Sequence, residues 1–299
     1  MQEFPKKLIV LGGPTASGKT KLAIELAKAL HTEIINADSR QFYQEMSIGT
    51  AVPSAEELAE VKHHFIQSHS AETPLSAMDF EEQAMPLVEE LFKQHDYVIV
   101  CGGSGLYLQA LAEGLDPLPP ADLEYREQLE AQLAQEGVQS LAAMLMEKDP
   151  EKAASMDLKN PRRVIRALEI LAAPPLEPAS PKKERTFQII PLFLNLDREQ
   201  LYQRIDDRVD QMMEQGLYEE AQGLLPLRDS SALQTVGYRE LFDHFDGKMD
   251  LETTVAKIKQ HTRNYAKRQL TWFRNKGNYQ EVQNAKEALQ HIRSASNQN

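Results

Sequence analysis

Cysteine is almost absent from the sequence: Cys101 is the only one in 299 residues. A single thiol excludes an intramolecular disulfide and any zinc site built on cysteines. Long apolar runs are missing too, and none approaches the ~18 residues of a membrane-spanning helix. Basic residues are in deficit, 33 Lys plus Arg against 45 Asp plus Glu, for a formal net charge of −12. That overall sign argues against a nucleic-acid binder, although an average can hide a local basic face. The opening MQEFPKKLIVLGG passes from a short apolar run directly into glycines, without a signal-peptide pattern. With the lone cysteine, this predicts a cytoplasmic protein with no membrane segment. What is present is an ordinary globular composition: 41% hydrophobic and 26% charged residues exclude wholesale disorder. At ~150 residues per domain, the length fits one large domain or two smaller ones.

Two periodicities alternate over the first hundred residues. Leu8 to Leu11 is a short, fully apolar strand-type run, and Lys19 to Leu30 reads as a helix with Leu22, Ala23, Leu26, Ala27 and Leu30 on one stripe. Glu33 to Ala37 reads as a second strand and Tyr97 to Cys101 as a third. Between them Asp79 to Gln94 has helical spacing, with Pro86 predicted to kink that helix or mark its start. Continuous apolar strands alternating with helices predict a parallel sheet covered on both faces. The pattern changes at the proline-rich Leu115 to Asp122. From there to about Ala172 everything reads as helix, ending in a cluster of Pro174, Pro175, Pro178 and Pro181. Phe187 to Leu196 returns to strand type, with Pro191 pushing it toward an edge or bulge, and helices follow from Arg198 to Lys276. The expected organisation is a helical insertion over 116–185 within a core formed by 1–115 and 186–299. The tail beyond Ala285 is polar and expected to fray.

Gly13-Pro14-Thr15-Ala16-Ser17-Gly18-Lys19-Thr20 matches G-x-x-x-x-G-K-[ST], the phosphate-binding loop. Its glycines let successive N–H groups face phosphate oxygens, and the following helix adds its positive end. Lys19 supplies a point charge, and the Thr20 hydroxyl is placed to hold Mg²⁺. A strand before the loop and an amphipathic helix after it make the fold class α/β, a P-loop NTPase-like parallel sheet flanked by helices, with an inserted all-helical domain.

The second strand runs into Asp38-Ser39-Arg40-Gln41, just beyond a strand C-terminus, where open α/β sheets form their ligand crevice. A carboxylate there is a metal ligand, a general base, or a cap for the following turn. The third strand delivers Gly102-Gly103-Ser104-Gly105 to the same crevice, offering N–H groups and a hydroxyl to an anion. It does not end in the Asp that holds Mg²⁺ in ATP-hydrolysing proteins, which weakens an ATPase reading.

Two segments oppose the overall acidity. Lys257 to Lys276 contains seven basic residues and no acidic one, interleaved with Tyr265, Trp272 and Phe273. Lys159 to Arg166 adds Lys159, Arg162, Arg163 and Arg166, again without an acid. Basic helices with aromatics suit a folded RNA, whose phosphates and unstacked bases they can grip.

The ordered set GPTASGKT, NADSRQFY with IGTA after it, GGSGLY, NPRRVIRALE, TVGYRE and KRQLTWFR resembles the bacterial-type tRNA dimethylallyltransferase (tRNA isopentenyl transferase) family, from Leu11 to about Arg274. The resemblance implies transfer of the five-carbon group of dimethylallyl diphosphate to N6 of the adenosine 3′ of a tRNA anticodon. The P-loop then holds the diphosphate of the allyl donor with Mg²⁺, rather than a nucleoside triphosphate. Lys19, Thr20, Ser104 and Arg208, from LYQRIDDRVDQM, would stabilise the leaving diphosphate. Asp38 matches the family's catalytic aspartate and would accept the N6 proton, with the adenine flipped into a channel.

By the same resemblance, contacts to the tRNA anticodon stem-loop are expected from Asp38, Ser39, Arg40, Gln41, Ser104 and Arg126. Further contacts fall on Arg162, Arg163, Val164, Ile165 and Arg166, and on Gln234, Thr235, Val236, Gly237, Tyr238 and Arg239. Lys267, Arg268, Gln269, Leu270, Thr271, Trp272, Phe273 and Arg274 complete the set. A monomer is implied. Two departures stand out: Ser104 replaces the Thr of many relatives, and APPLEPASP replaces a short SGK-type turn. There is no C-terminal zinc finger of the eukaryotic kind. Taken alone, the P-loop also fits a small-molecule or nucleotide kinase with Asp38 activating a hydroxyl, or a non-catalytic RNA-binding NTPase switch. His63-His64 reads as surface, Met212-Met213 with Phe242 and Phe245 as core, and Cys101 as a small buried hydrophobe.

Overall fold

Along β1 (Lys7–Gly12) every residue is buried, so neither parity of the strand faces water and the sheet must be covered twice. The computed structural model describes residues 6–116, 118–120, 122–174, 184–276 and 278–296. The other strands are β2 (Ile34–Asn36), β3 (His63–His64), β4 (Tyr97–Gly102), β5 (Gln188–Leu194) and β6 (Gln280–Val282). They form one sheet in the order β3-β2-β4-β1-β5-β6, parallel at every pairing. The helices are α1 (Lys19–Leu30), α2 (Ala55–Glu60), α3 (Ala77–Gln94), α4 (Gly105–Glu113), α5 (Leu123–Glu136), α6 (Val138–Lys148) and α7 (Pro150–Ala154). After these come α8 (Pro161–Ala172), α9 (Arg198–Glu214), α10 (Leu217–Gly223), α11 (Tyr238–Phe245), α12 (Leu251–Asn275) and α13 (Ala285–Ser296).

The period-2 rule sorts the sheet into two cores. Leu8, Val10, Ile35, Val98 and Val100 join Phe80, Leu108 and Phe273 on one side. Ile9, Leu11, Ile34, Ile99 and Leu192 join Leu22, Leu26 and Ile292 on the other. The chain divides into two compact units, one of Met1–Gly114 with Glu184–Asn299 and one of Leu115–Lys183. The second unit has a core of its own, built on Leu129, Leu141, Leu145, Val164, Ile165 and Leu168.

Four expectations change. Pro86 does not mark the start of α3, which runs through it: the ring is exposed, a Ser76/Asp79 capping box starts the helix, and buried Phe80, Ala84 and Val88 hold the turns on either side. Pro191 lies in register with Val10 in a strand that is not at the edge of the sheet. However, β6 pairs only with Leu192, Phe193 and Leu194, which leaves proline's missing donor without consequence. The tail does not fray at Ala285. It forms α13, whose Ala288 and Ile292 are buried in the core beside α1. The His63-His64 pair is a short edge strand, half-buried, with His64 Nε2 2.5 Å from Glu33. Of the second proline cluster, residues 175–183 lie outside the described residues. Cys101 is buried in β4 as expected, and burial pushes its thiol up to about 12.

Candidate active site

The C-terminal ends of β1, β2 and β4 release three loops on one edge of the sheet, the position where parallel α/β sheets place ligands. After β1, the chain wraps through Gly13–Thr20 and enters α1 at Lys19. Gly18 caps the helix at φ 92°, a left-handed conformation that glycine adopts without strain. The Ser17 N–H and Lys19 Nζ both donate to the Pro14 carbonyl, at 3.3 and 2.9 Å. The buried Ser17 hydroxyl finds no hydrogen-bond partner among the described residues, and a phosphate oxygen would satisfy it.

After β2, Asn36 braces the next turn: its Nδ2 donates to the Phe65 carbonyl at 3.0 Å, and its Oδ1 accepts from the Asp38 N–H at 3.2 Å. Asp38 Oδ1 in turn accepts the Arg40 N–H at 3.2 Å. The carboxylate is therefore a turn cap as well as a cavity group. After β4, the Ser104 hydroxyl accepts the Ser39 N–H and donates to the Ser39 hydroxyl, each at 3.0 Å.

Two long helices close the loops together. From α12, Gln269 Oε1 accepts the Thr15 N–H and its Nε2 donates to the Gly103 carbonyl, both at 2.9 Å. One buried amide thus ties the P-loop to the β4 loop. The Phe273 ring occupies the space that a Cβ on Gly12 would need. From α9 comes Arg208, which burial pulls below the ordinary guanidinium value while the Asp38 charge opposes that fall; it remains a cation. Burial likewise lowers Lys19, against the opposing effects of Cys101 and Asp38.

These groups share a cavity of about 560 Å³ that includes Lys19, Thr20, Asp38, Gln41, Arg208 and Met212. A second space of about 80 Å³ also touches Asp38 and Arg208, and is otherwise lined by residues such as Val209, Met212, Leu217 and Ile258. Lys19 and Arg208, a loop of N–H groups, the Asp38 carboxylate and a small apolar chamber make a site for an anionic group carrying a short hydrocarbon. Oxygen donors are what Mg²⁺ takes, usually one or two from protein with phosphate and water completing the shell. The Thr20 hydroxyl in the larger cavity fits that pattern, and no group of three His, Cys, Asp or Glu suited to a metal occurs among the described residues.

A family model described as IPP transferase matches residues 41–276. The chain belongs to the IPP transferase family. This IPP transferase is 50% identical over 275 residues to the tRNA dimethylallyltransferase of Christiangramia forsetii, covering 89% of the chain and 90% of that protein. It is 48% identical over 277 residues to the tRNA dimethylallyltransferase of Cytophaga hutchinsonii, covering 91% of each. Its fold matches the full-length tRNA isopentenylpyrophosphate transferase of Bacillus halodurans with a TM-score of 0.70 and 40% identity, over 97% and 96% of the two chains. A eukaryotic dimethylallyltransferase acting on tRNA matches with a TM-score of 0.68 and 25% identity, over 97% of this chain and 77% of its own.

Within this IPP transferase the residues expected to touch RNA fall into two groups. Lys267, Arg268, Thr271 and Arg274 are exposed on α12, and Arg162 and Arg163 are exposed on α8. The side chains of others are turned inward, away from any surface that RNA could reach. Val164 and Ile165 fill the core of the helical unit, Tyr238 and Phe273 that of the sheet, and Gln269 joins the two loops. The Arg126 fork is engaged by Glu169 at 2.7 and 2.9 Å, and Arg166 donates to the same carboxylate and to the Pro119 carbonyl. Arg40 Nη1 donates to the Ser231 and Ala232 carbonyls, both at 2.9 Å, and Gln234 to that of Arg228 at 2.7 Å. Lys259 and Arg263, on the basic helix, pair with Asp210 and Asp206 of α9.

Sequence reasoning missed Met212 and Tyr265 as cavity residues. Tyr265 stands beside Ser104 and Asp38, and burial followed by the Asp38 charge pushes its phenol upward. Its signal was legible: Tyr265, Gln269 and Trp272-Phe273 recur every three to four residues, one face of α12.

Proposed function

We propose that this IPP transferase transfers the dimethylallyl group of dimethylallyl diphosphate to N6 of the adenosine 3′ of the anticodon in tRNA. The observation that carries the reading is the shared border of the two cavities, where Asp38 and Arg208 meet both the phosphate loop and the small apolar chamber. The smaller chamber, lined by apolar side chains such as Val209, Leu217 and Ile258, suits a short hydrocarbon tail. The P-loop N–H groups, Lys19 and Arg208 hold the diphosphate. As the allylic C–O bond breaks, its electron pair leaves with the diphosphate, and these fixed charges stabilise the anion. N6 of a flipped adenosine forms the new bond to the allyl carbon, and its proton passes to Asp38. The Thr20 hydroxyl would hold Mg²⁺, which would supply neutralisation of the diphosphate charge. Ser104 holds the turn that presents Asp38. The reading includes a monomeric, cytoplasmic enzyme; no described helix is long and apolar enough to cross a membrane.

The test is incubation with bulk tRNA, Mg²⁺ and either dimethylallyl diphosphate or ATP, followed by nucleoside mass analysis. A five-carbon increment on adenosine is expected with the allyl donor. No increment, together with tRNA-stimulated phosphate release from ATP, would replace this reading with a P-loop kinase or ATPase.

The exposed face of α12 supplies the RNA grip. Replacing Lys267, Arg268 and Arg274 by alanine should raise the KM for tRNA. Each lost phosphate contact should flatten the plot of log K against log salt by roughly one unit. A triple variant with an unchanged slope would make this helix a solvated face only.

A further inference from the structure

The turn segment from Ser47 to Val52 forms a wall of both cavities: Ser47, Ile48, Thr50, Ala51 and Val52 line the larger, and Gly49, Thr50 and Ala51 the smaller. It belongs to no strand or helix, so its position has to come from side chains elsewhere. Three successive backbone N–H groups converge on one carboxylate from α10. Glu220 Oε2 accepts from Ser47 at 2.9 Å and Ile48 at 2.8 Å, and its Oε1 accepts from Gly49 at 2.9 Å. Consecutive amides of this kind make a nest that selects an anion. Here the anion comes from the protein itself.

The buried Tyr238 hydroxyl donates to Glu220 Oε1 at 2.6 Å, which gives the carboxylate four donors. Burial and the Glu220 charge push the Tyr238 phenol up, which keeps it a donor. Gly49 lies flat on the Tyr238 ring, and a Cβ there would come within 2.6 Å of it. On the other flank, Gln41 Nε2 donates to the Thr50 and Ala51 carbonyls at 3.1 and 2.9 Å. Ala51 is held at φ 51°, a left-handed conformation that alanine adopts only under constraint.

We infer that Glu220 is a positioning residue for the transfer: through the Ser47–Gly49 amides it sets the wall that aligns the allyl group with Asp38 and Arg208. The inference rests on the function proposed above. Glu220 does not line either cavity, and the P-loop and Arg208 hold the diphosphate without it. Losing the carboxylate should therefore disturb alignment more than binding.

Glu220→Gln turns one acceptor oxygen into an NH2 group facing N–H donors, with little change of shape. A misplacement of about 1 Å at a reacting centre costs about 10²-fold, and kcat should fall on that scale. The KM values for dimethylallyl diphosphate and tRNA should stay near wild type. Amide hydrogen exchange at Ser47, Ile48 and Gly49 should quicken in the same variant, a readout independent of chemistry. Unaltered exchange, or faster exchange with wild-type kcat, would overturn the inference. A wild-type enzyme that transfers no allyl group would instead sink the proposed function while leaving the exchange result intact. Should Glu220→Gln fail to fold, Tyr238→Phe removes one of the four donors and decides: a smaller fall in kcat at constant KM supports the role, and wild-type kcat overturns it.

Discussion

Asp38→Ala is expected to lower kcat for allyl transfer by about 10²–10⁴-fold, the usual contribution of a positioned general base, while the protein still folds and still binds the allyl donor. The structure sharpens this test, because Asp38 also accepts the Arg40 N–H at 3.2 Å. Alanine removes that turn bond together with the base, a loss of about 1 kcal/mol of stability. Asp38→Asn separates the two roles. Its side-chain oxygen still accepts the Arg40 N–H, yet it takes no proton from N6. If the carboxylate acts as base, Asn and Ala should be equally slow, with Asn melting nearer to wild type. Near-wild-type turnover in purified Asp38→Asn would reduce Asp38 to a cap. Steady-state rates of labelled allyl incorporation into tRNA, with thermal melting beside them, give both numbers.

Lys19→Ala should be comparably severe, lowering kcat/KM for dimethylallyl diphosphate by about 10²–10³-fold, the scale of losing one preorganised donor to a developing anion. Lys19 Nζ now donates to the Pro14 carbonyl within its own loop, at 2.9 Å, so its removal costs the loop a bond as well as a charge. KM for tRNA should move little, since the exposed cations proposed to grip RNA lie on other helices. Burial lowers the Lys19 pKa, and the ammonium is the form that stabilises the leaving group. Donor use should therefore decline with rising pH before an ordinary lysine would deprotonate. A Lys19→Ala enzyme with wild-type kcat/KM for the donor would remove Lys19 from the mechanism.

The α/β class, the P-loop and the loops beyond β2 and β4 were legible in the sequence because each is local. A run of four apolar residues into glycines, a fixed Gly-Lys-Thr spacing and an Asp at a strand end can be read within a dozen positions. α13 was legible in principle: Ala285, Ala288, Leu289 and Ile292 have helical spacing, but the polar residues between them masked it. The short edge strands β3 and β6 were not, since two or three residues carry no period and pairing with a neighbour alone defines them.

The sequence by itself determined which chemical groups the protein owns: a phosphate loop, a carboxylate beside it, a second cation at Arg208 and two basic helices. Tertiary structure alone decided how they are used. Gln269, read as an RNA contact, is buried between Thr15 and Gly103. Arg126 is bound to Glu169, and Glu220, which carries no motif, gathers three amides from a loop 171 to 173 residues away. The reason is physical. A side chain's period reports which face of its own helix or strand it occupies, whereas its partner depends on what the rest of the chain brings opposite. A buried polar group must be matched by whatever donors or acceptors arrive there, and no spacing within one segment encodes that arrival.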